Sequence, residues 1–244
     1  SVVIPAYNEG ARIAPTLREA SAYLGDEGYS HQIIVVDDGS SDGTADVVQD
    51  LMGEIPNLSL IRHPKNLGKG MAVKSGFLAA SGELVFFSDA DLSTPIQEVP
   101  KFVAYVNEGY DIVIGSRALP ESVIVVHQPW YREQMGRVFN LLVRLIVVRG
   151  FYDTQCGFKC FRRQACRLIF ELQTLSGFCF DVELLFLARR MGLRVKEVPV
   201  TWRNNPETKV GALKDSLRMF RDLLRIRLQA LFGLYRKRAE EKVP

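Results

Sequence analysis

Residues 84–95 read LVFFSDADLSTP. A short, bulky, β-favouring apolar run passes directly into Asp-Ala-Asp. The run predicts a strand buried on both faces. The acids then lie where such a strand leaves its sheet, with Asp89 and Asp91 directed towards one point. Like charges that close raise each other's pKa unless a cation sits between them. A hard divalent ion such as Mg²⁺ or Mn²⁺ takes oxygen ligands and keeps positions open for substrate phosphates. On this stretch alone, a turn with helix-capping acids before Thr94-Pro95 stays open as the alternative.

Similar runs occur on either side. Strands are expected at Val2–Ile4, Gln32–Val36, Leu58–Ile61, Leu84–Phe87 and Ile112–Ile114, with helices near Arg12–Leu24, Ala45–Leu51, Gly70–Ala80 and Val99–Asn107. Apolar strands spaced by helices predict an α/β fold with a mostly parallel sheet covered on both faces. Such sheets bind ligands beyond the carboxyl ends of their strands. The 244 residues, 47% hydrophobic and 24% charged, are enough for a sizeable core and exclude a disordered or fibrous chain. We expect a catalytic domain over residues 1–212 and an amphipathic tail over 213–244.

Net charge is only +3, which gives no reason to expect a nucleic-acid partner. The positive charge is concentrated in the tail. From Leu213 to Arg238 there are eight basic residues and two acidic ones, with Leu213, Leu217, Phe220, Leu224, Leu228, Leu231 and Tyr235 at helical spacing. Two readings follow: a helix packed on the domain with a solvated basic face, or an interfacial helix resting on anionic headgroups. A second basic amphipathic stretch, Arg137 to Arg149, favours the second reading. No run is apolar enough to span a membrane. The sequence opens on Ser1 inside an apolar run without an initiating Met, which leaves room for an anchor ahead of it. Cys156, Cys160, Cys166 and Cys179 lie close together with no histidine among them, and are read as free thiols in a reducing compartment.

Three further strand ends carry chemistry. VDDGSSDGT (36–44) offers Asp37 and Asp38 as acceptors for ribose hydroxyls or a base N–H. IPAYNE (4–9) places Tyr7 where it can stack on a base and Glu9 at the mouth of the same edge. NLGKGMAVKSG (66–76) opens a helix but lacks the spacing of a Walker loop. GSSDG (39–43) fits a nucleophile elbow, yet the two carboxylates before it oppose formation of an oxyanion.

Read in order, IPAYNE, VDDGSSDGT, NLGKGMAV, SDADLSTP, GSR (115–117), DTQCGFK (153–159), FDVELL (180–185) and EVPVTW (197–202) resemble the family 2 glycosyltransferases of the GT-A, Rossmann-like fold. The similarity is greatest to their polyprenyl- or dolichyl-phosphate glucosyltransferase branch, and it runs from about residue 2 to residue 230.

The resemblance implies that Pro5, Tyr7 and Glu9 line a nucleotide pocket, that Asp37 or Asp38 contacts uridine, and that Lys69, Arg203 and Lys209 serve the donor phosphates. It implies that Asp89 and Asp91, with the Ala90 backbone, hold Mg²⁺ or Mn²⁺ on the donor diphosphate. Ser93 stands where mannosyl relatives often carry Gln, and Gly136 where they carry Ser. Arg117 and Arg132 resemble the arginines that grip a lipid phosphate, as a planar charged fork suits. Asp153 could orient a substrate or act as base, and Glu183 is a further acid of interest. The implied activity is inverting transfer of glucose from UDP-glucose to a polyprenyl phosphate by a peripheral protein on the cytoplasmic face of a membrane. GDP-mannose is the alternative donor, and a nucleotide-sugar-binding protein without turnover is the alternative class. The oligomeric state is left open.

Overall fold

The computed structural model describes residues 1–205 and 212–241. Along the chain it forms β1 (Val2–Ala6), α1 (Ile13–Asp26), β2 (Ile33–Asp37), α2 (Thr44–Leu51), β3 (Leu58–Arg62), α3 (Lys69–Ala79), β4 (Leu84–Ser88) and α4 (Val99–Asn107). There follow β5 (Ile112–Ser116), β6 (Val123–Val126), α5 (Trp130–Ile146), β7 (Phe158–Arg162), α6 (Arg163–Leu172), α7 (Phe180–Arg190), β8 (Val195–Pro199), β9 (Thr201–Arg203), α8 (Ala212–Leu231) and α9 (Leu234–Glu240).

The main sheet has the order β3-β2-β1-β4-β7-β5-β8. Its strands alternate between two cores. Val3, Ile34, Val36, Phe87 and Ile114 pack on one side with α3, α6 and α7, and Val2, Ile4, Ile33, Val35 and Phe86 pack on the other with α1 and α4. Burial on both faces is why these strands read as unbroken apolar runs rather than alternating ones. All five strands and four helices expected from the sequence are present.

β1 pairs in parallel with both β2 and β4, which aligns the ends of all three strands. The chain crosses over at β1, the position where an open α/β sheet leaves a crevice for ligands. β7 was not foreseen. It runs antiparallel between β4 and β5, with Ser88 opposite Phe158, and therefore brings the 153–157 loop alongside Asp89. The small second sheet, β6 with β9, carries residues 201–203 towards the same edge.

The tail packs onto the domain through Leu223 and Ile226, which the leucine spacing did not indicate, and through Tyr235, which it did. All three are buried in the core, each large apolar side chain contributing about 1.5–3 kcal/mol relative to exposure. The periodic Leu217, Phe220, Leu224, Leu228 and Leu231 face outward, with Leu217 74% and Leu231 79% exposed. Among the described residues, no helix is long and apolar enough to cross a membrane.

Candidate active site

The Asp-Ala-Asp corner is held from three sides. The Ala90 carbonyl accepts the Thr16 hydroxyl at 2.7 Å, Asp91 Oδ1 accepts the Ser93 amide at 2.9 Å, and the Ser93 carbonyl accepts the Arg203 amide at 2.8 Å. Leu92 takes a left-handed φ of 45°, a conformation that costs a non-glycine residue energy and persists only where its surroundings impose it. Because the Ala90 carbonyl is turned towards α1, the two carboxylates are the groups the corner presents outward.

Asp89 has close neighbours. Its amide donates to the Gly157 carbonyl at 3.1 Å, and a Cβ at residue 157 would fall 1.9 Å from Asp89 Oδ2. Only glycine leaves room for that carboxylate. On the other side, Lys69 Nζ at the start of α3 lies 2.7 Å from Asp89 Oδ1.

Behind this pair stands a second one that sequence reasoning missed. Lys159 Nζ, 1% exposed, is 2.9 Å from Asp181 Oδ1, and both lysines lie over the Phe87 ring at 5.1 and 5.6 Å. The signs alternate from Asp89 through Lys69 and Asp181 to Lys159. Burial alone would lower the Lys69 pKa, but Asp89, Asp181 and Asp91 outweigh it and hold the ammonium charged. Burial pushes the Asp181 carboxyl up against the pull of Lys159 and Lys69. CGFK and FDVELL contain these two residues, but nothing in either motif marks them as partners.

Arg117 follows β5 and is fixed in a fork. Its Nε and Nη2 donate to Asp153 Oδ2 and Oδ1 at 2.6 and 2.9 Å, its amide donates to Oδ2 at 3.0 Å, and its guanidinium lies 5.4 Å from the Trp202 ring centre. Burial would raise the Asp153 carboxyl, yet Arg117 and the amides of Arg117 and Gln155 bring it down to about 2. Both Asp153 oxygens are engaged by Arg117 and by the Arg117 and Gln155 amides, an arrangement that favours orienting Arg117 over acting as a base. Asp153 on Arg117 and Gly157 on Asp89 are four residues apart, so one loop joins the cation to the acid corner. The Arg117 charge, which burial would disfavour, is held chiefly by Asp153 and to a smaller degree by Asp89.

At the β1 and β2 ends the two expected aspartates separate in role. Asp38 is spent inside the protein: it meets His63 Nδ1 at 2.7 Å and accepts the Leu67 and Gly68 amides at 2.9 and 2.8 Å. It therefore holds the loop that leads into Lys69. Asp37 Oδ1 accepts the Ser40 amide at 3.1 Å, while its Oδ2 lies 3.9 Å from the exposed Arg62. Tyr7 is 40% exposed beside this pair, and Pro5 is half-buried in β1. Glu9 is buried, paired with Arg12, and its amide donates to Thr44 Oγ1 at 2.8 Å. His63 Nε2 also lies 3.0 Å from Ser75 Oγ, giving the order of a hydrolase relay. Ser75, however, is inside α3, whose amides are used by the helix, so no oxyanion hole faces it.

The edge thus gathers Asp89, Asp91, Lys69, Asp153, Arg117 and the Arg203 backbone. Arg132 is half-buried in the first turn of α5, and Lys209 lies outside the described residues. Glu183 is a structural acceptor rather than a site group: it receives the Thr174 and Leu175 amides and the Tyr235 hydroxyl. All four cysteines are free and buried, and burial pushes all four thiols up, that of Cys156 to about 11, which disfavours a thiolate.

Among the described residues no group of three or more His, Cys, Asp or Glu side chains is arranged as a complete metal cage. The two outward carboxylates fit a different kind of site. They are hard oxygen donors beside a lysine, suited to a divalent ion that completes its shell with phosphate and water.

The mostly parallel sheet thus carries an acidic corner at its crossover and a half-buried arginine fork joined to it by one loop. The sequence model for Glycosyl transferase family 2 matches residues 1–170, and the chain belongs to that family. It is 39% identical over 238 residues to a dolichyl-phosphate beta-glucosyltransferase of Trichomonas vaginalis, covering 93% of this chain and 72% of that one. It is 34% identical over 256 residues to the dolichyl-phosphate beta-glucosyltransferase of Homo sapiens, covering 100% and 79%. The fold is shared with glucosyl-3-phosphoglycerate synthase from Mycobacterium tuberculosis, solved in complex with Mn²⁺, UDP-glucose and phosphoglyceric acid, at a TM-score of 0.65 and 21% identity over 93% of this chain and 78% of that one.

Proposed function

We propose that this chain transfers glucose from UDP-glucose to a dolichyl or other polyprenyl phosphate, inverting the anomeric carbon to give a β-linked lipid-phosphate sugar. The observation that carries the proposal is the 153–157 loop, which fixes Arg117 through Asp153 and abuts Asp89 through Gly157. The names of the relatives supply the sugar and the lipid.

In this reading Tyr7 stacks on the uracil, Asp37 accepts from the uridine, and Pro5 and Glu9 shape the pocket wall. Asp89 and Asp91 would hold Mg²⁺ or Mn²⁺, which when bound neutralises the charge of the departing UDP. Lys69, Arg203 and Lys209 add positive charge around the diphosphate. Arg117, with Arg132, aims a phosphate oxygen of the acceptor at the anomeric carbon. That oxygen bonds to the carbon as the bond to UDP breaks and its electron pair leaves with the diphosphate. The nucleophile is already anionic near pH 7, so no side chain need remove a proton, and positioning and charge stabilisation supply the catalysis.

A lipid acceptor calls for a membrane surface. The outward apolar residues of α8, flanked by the exposed Arg218, Arg221, Arg225 and Arg227, have the composition of an interfacial helix. The exposed Val138, Leu141 and Leu145 of the neighbouring α5 extend the same character. We therefore propose peripheral attachment at the cytoplasmic face, consistent with the free thiols. Incubating the protein with labelled UDP-glucose, GDP-mannose or UDP-GlcNAc, a short polyprenyl phosphate and Mn²⁺ tests the assignment. Label should enter the organic phase from UDP-glucose; transfer from GDP-mannose alone would overturn the donor.

A further inference from the structure

Glu183 and Tyr235 have no part in the chemistry above, yet they lead back to it. Glu183 is fully buried in α7 and accepts four hydrogen bonds. They come from the Leu175 amide at 2.8 Å, the Thr174 amide at 3.0 Å, the Thr174 hydroxyl at 2.7 Å and the Tyr235 hydroxyl at 2.8 Å. Tyr235 belongs to α9, so this single carboxylate ties the C-terminal helices to the loop 173–176.

That loop is pressed against the start of α3. The Ser176 carbonyl accepts the Gly70 amide at 2.8 Å, and Gln173 Nε2 donates to the Gly70 carbonyl at 2.8 Å. At Gly68, which has a φ of 100°, a Cβ would lie 2.4 Å from the Ser176 oxygen. The contact has no slack: a shift of the loop must move the first turn of α3. Lys69 stands between these two glycines, with its ammonium 2.7 Å from Asp89.

We propose that Glu183 and Tyr235 are positioning residues for the donor site, fixing the first turn of α3, and with it Lys69, through the loop 173–176. The C-terminal helices then do more than contact lipid; they complete the support of the diphosphate end of the pocket. This inference rests on the reading that Lys69 and Asp89 meet a nucleoside diphosphate.

The test is calorimetric titration of UDP with Mn²⁺ into the full chain and into Tyr235→Phe and Thr174→Val, paired with kinetics for each substrate. Each substitution removes one hydroxyl without adding bulk. UDP affinity should weaken, and the UDP-glucose KM should rise, by about threefold or more, part of the effect of losing a hydrogen bond to a charged acceptor. The KM for polyprenyl phosphate should stay unchanged. Phe186→Leu, which loosens packing on the Tyr235 ring 6.1 Å away, serves as control. It should lower Tm and leave UDP affinity intact. Unchanged UDP affinity in both hydroxyl variants, or an equal loss in the Phe186 control, overturns this inference alone. A wild-type chain that binds no UDP overturns the donor reading first, and this one with it.

Discussion

Arg117 and Asp153 meet in a two-point fork, with Nε–Oδ2 2.6 Å and Nη2–Oδ1 2.9 Å, on a carboxylate that burial would otherwise destabilise. The pair fixes both the direction and the charge of the arginine. Removing one charge from a buried pair leaves the other uncompensated, so Asp153→Asn should cost about 3 kcal/mol of stability near neutrality. Steady-state kinetics should show kcat/KM for the lipid phosphate falling at least about tenfold, with UDP affinity retained.

The same pair predicts how stability responds to acid. The Asp153 carboxyl is held at about 2 in the fold against an ordinary value of 3.8. Between those values the unfolded chain binds more protons than the folded one. The contribution is therefore complete above about pH 4 and is lost as pH falls towards about 2, amounting to about 2 kcal/mol. Urea unfolding of wild type and Asp153→Asn should differ more at pH 7 than at pH 3.

Gly157 makes a steric prediction. Its missing side chain is where the Asp89 carboxylate sits, so Gly157→Ala must push that carboxylate away or shift β7. Mn²⁺ binding, followed by electron paramagnetic resonance in the presence of UDP, should weaken at least about tenfold, the loss expected when the support of a ligand is disturbed.

Asp37 and Asp38 should separate by assay. Asp38→Ala leaves the Leu67 and Gly68 amides and His63 without their acceptor, and should destabilise the fold by about 2–3 kcal/mol in urea melts. Asp37→Ala, which strands the Ser40 amide alone, should cost less, about 1 kcal/mol, and lose UDP affinity in calorimetry.

The outward leucines should govern lipid binding and not folding. Leu224→Glu with Leu228→Glu changes side chains that are 43% and 51% exposed. Tm should hold, while cosedimentation with anionic liposomes should fall sharply. Retained cosedimentation would remove α8 from the membrane contact.

What could be read in the sequence follows from what each residue reports locally. Strands buried on both faces carry their fold in the chain itself, so β1, β2, β4 and β5 were legible, as were the acids at their ends, while the half-buried edge strand β3 was legible from Leu58, Leu60 and Ile61. β7 was hidden because its Lys159 is neutralised by Asp181, a partner far along the chain with no spacing to announce it. The leucine period identified α8 but not its orientation, because Leu223 and Ile226 form a second apolar stripe on the opposite side. Asp37 and Asp38 are equivalent as letters and differ only once the 63–68 loop closes over one of them. Asp153 reads in the sequence as an orienting acid or a base, and its fork with Arg117, unannounced by spacing, favours the first.

The central claim is that Asp89 and Asp91 hold the divalent ion on the donor diphosphate, facing Arg117 across one crevice. A crystal structure with UDP and Mn²⁺, with the metal located by its anomalous scattering, tests it most directly. The account predicts one strong peak touching the Asp91 carboxylate and the UDP diphosphate, with uracil beside Tyr7 and Asp37. A metal bound elsewhere, or UDP seated away from the β1 and β4 ends, would contradict it.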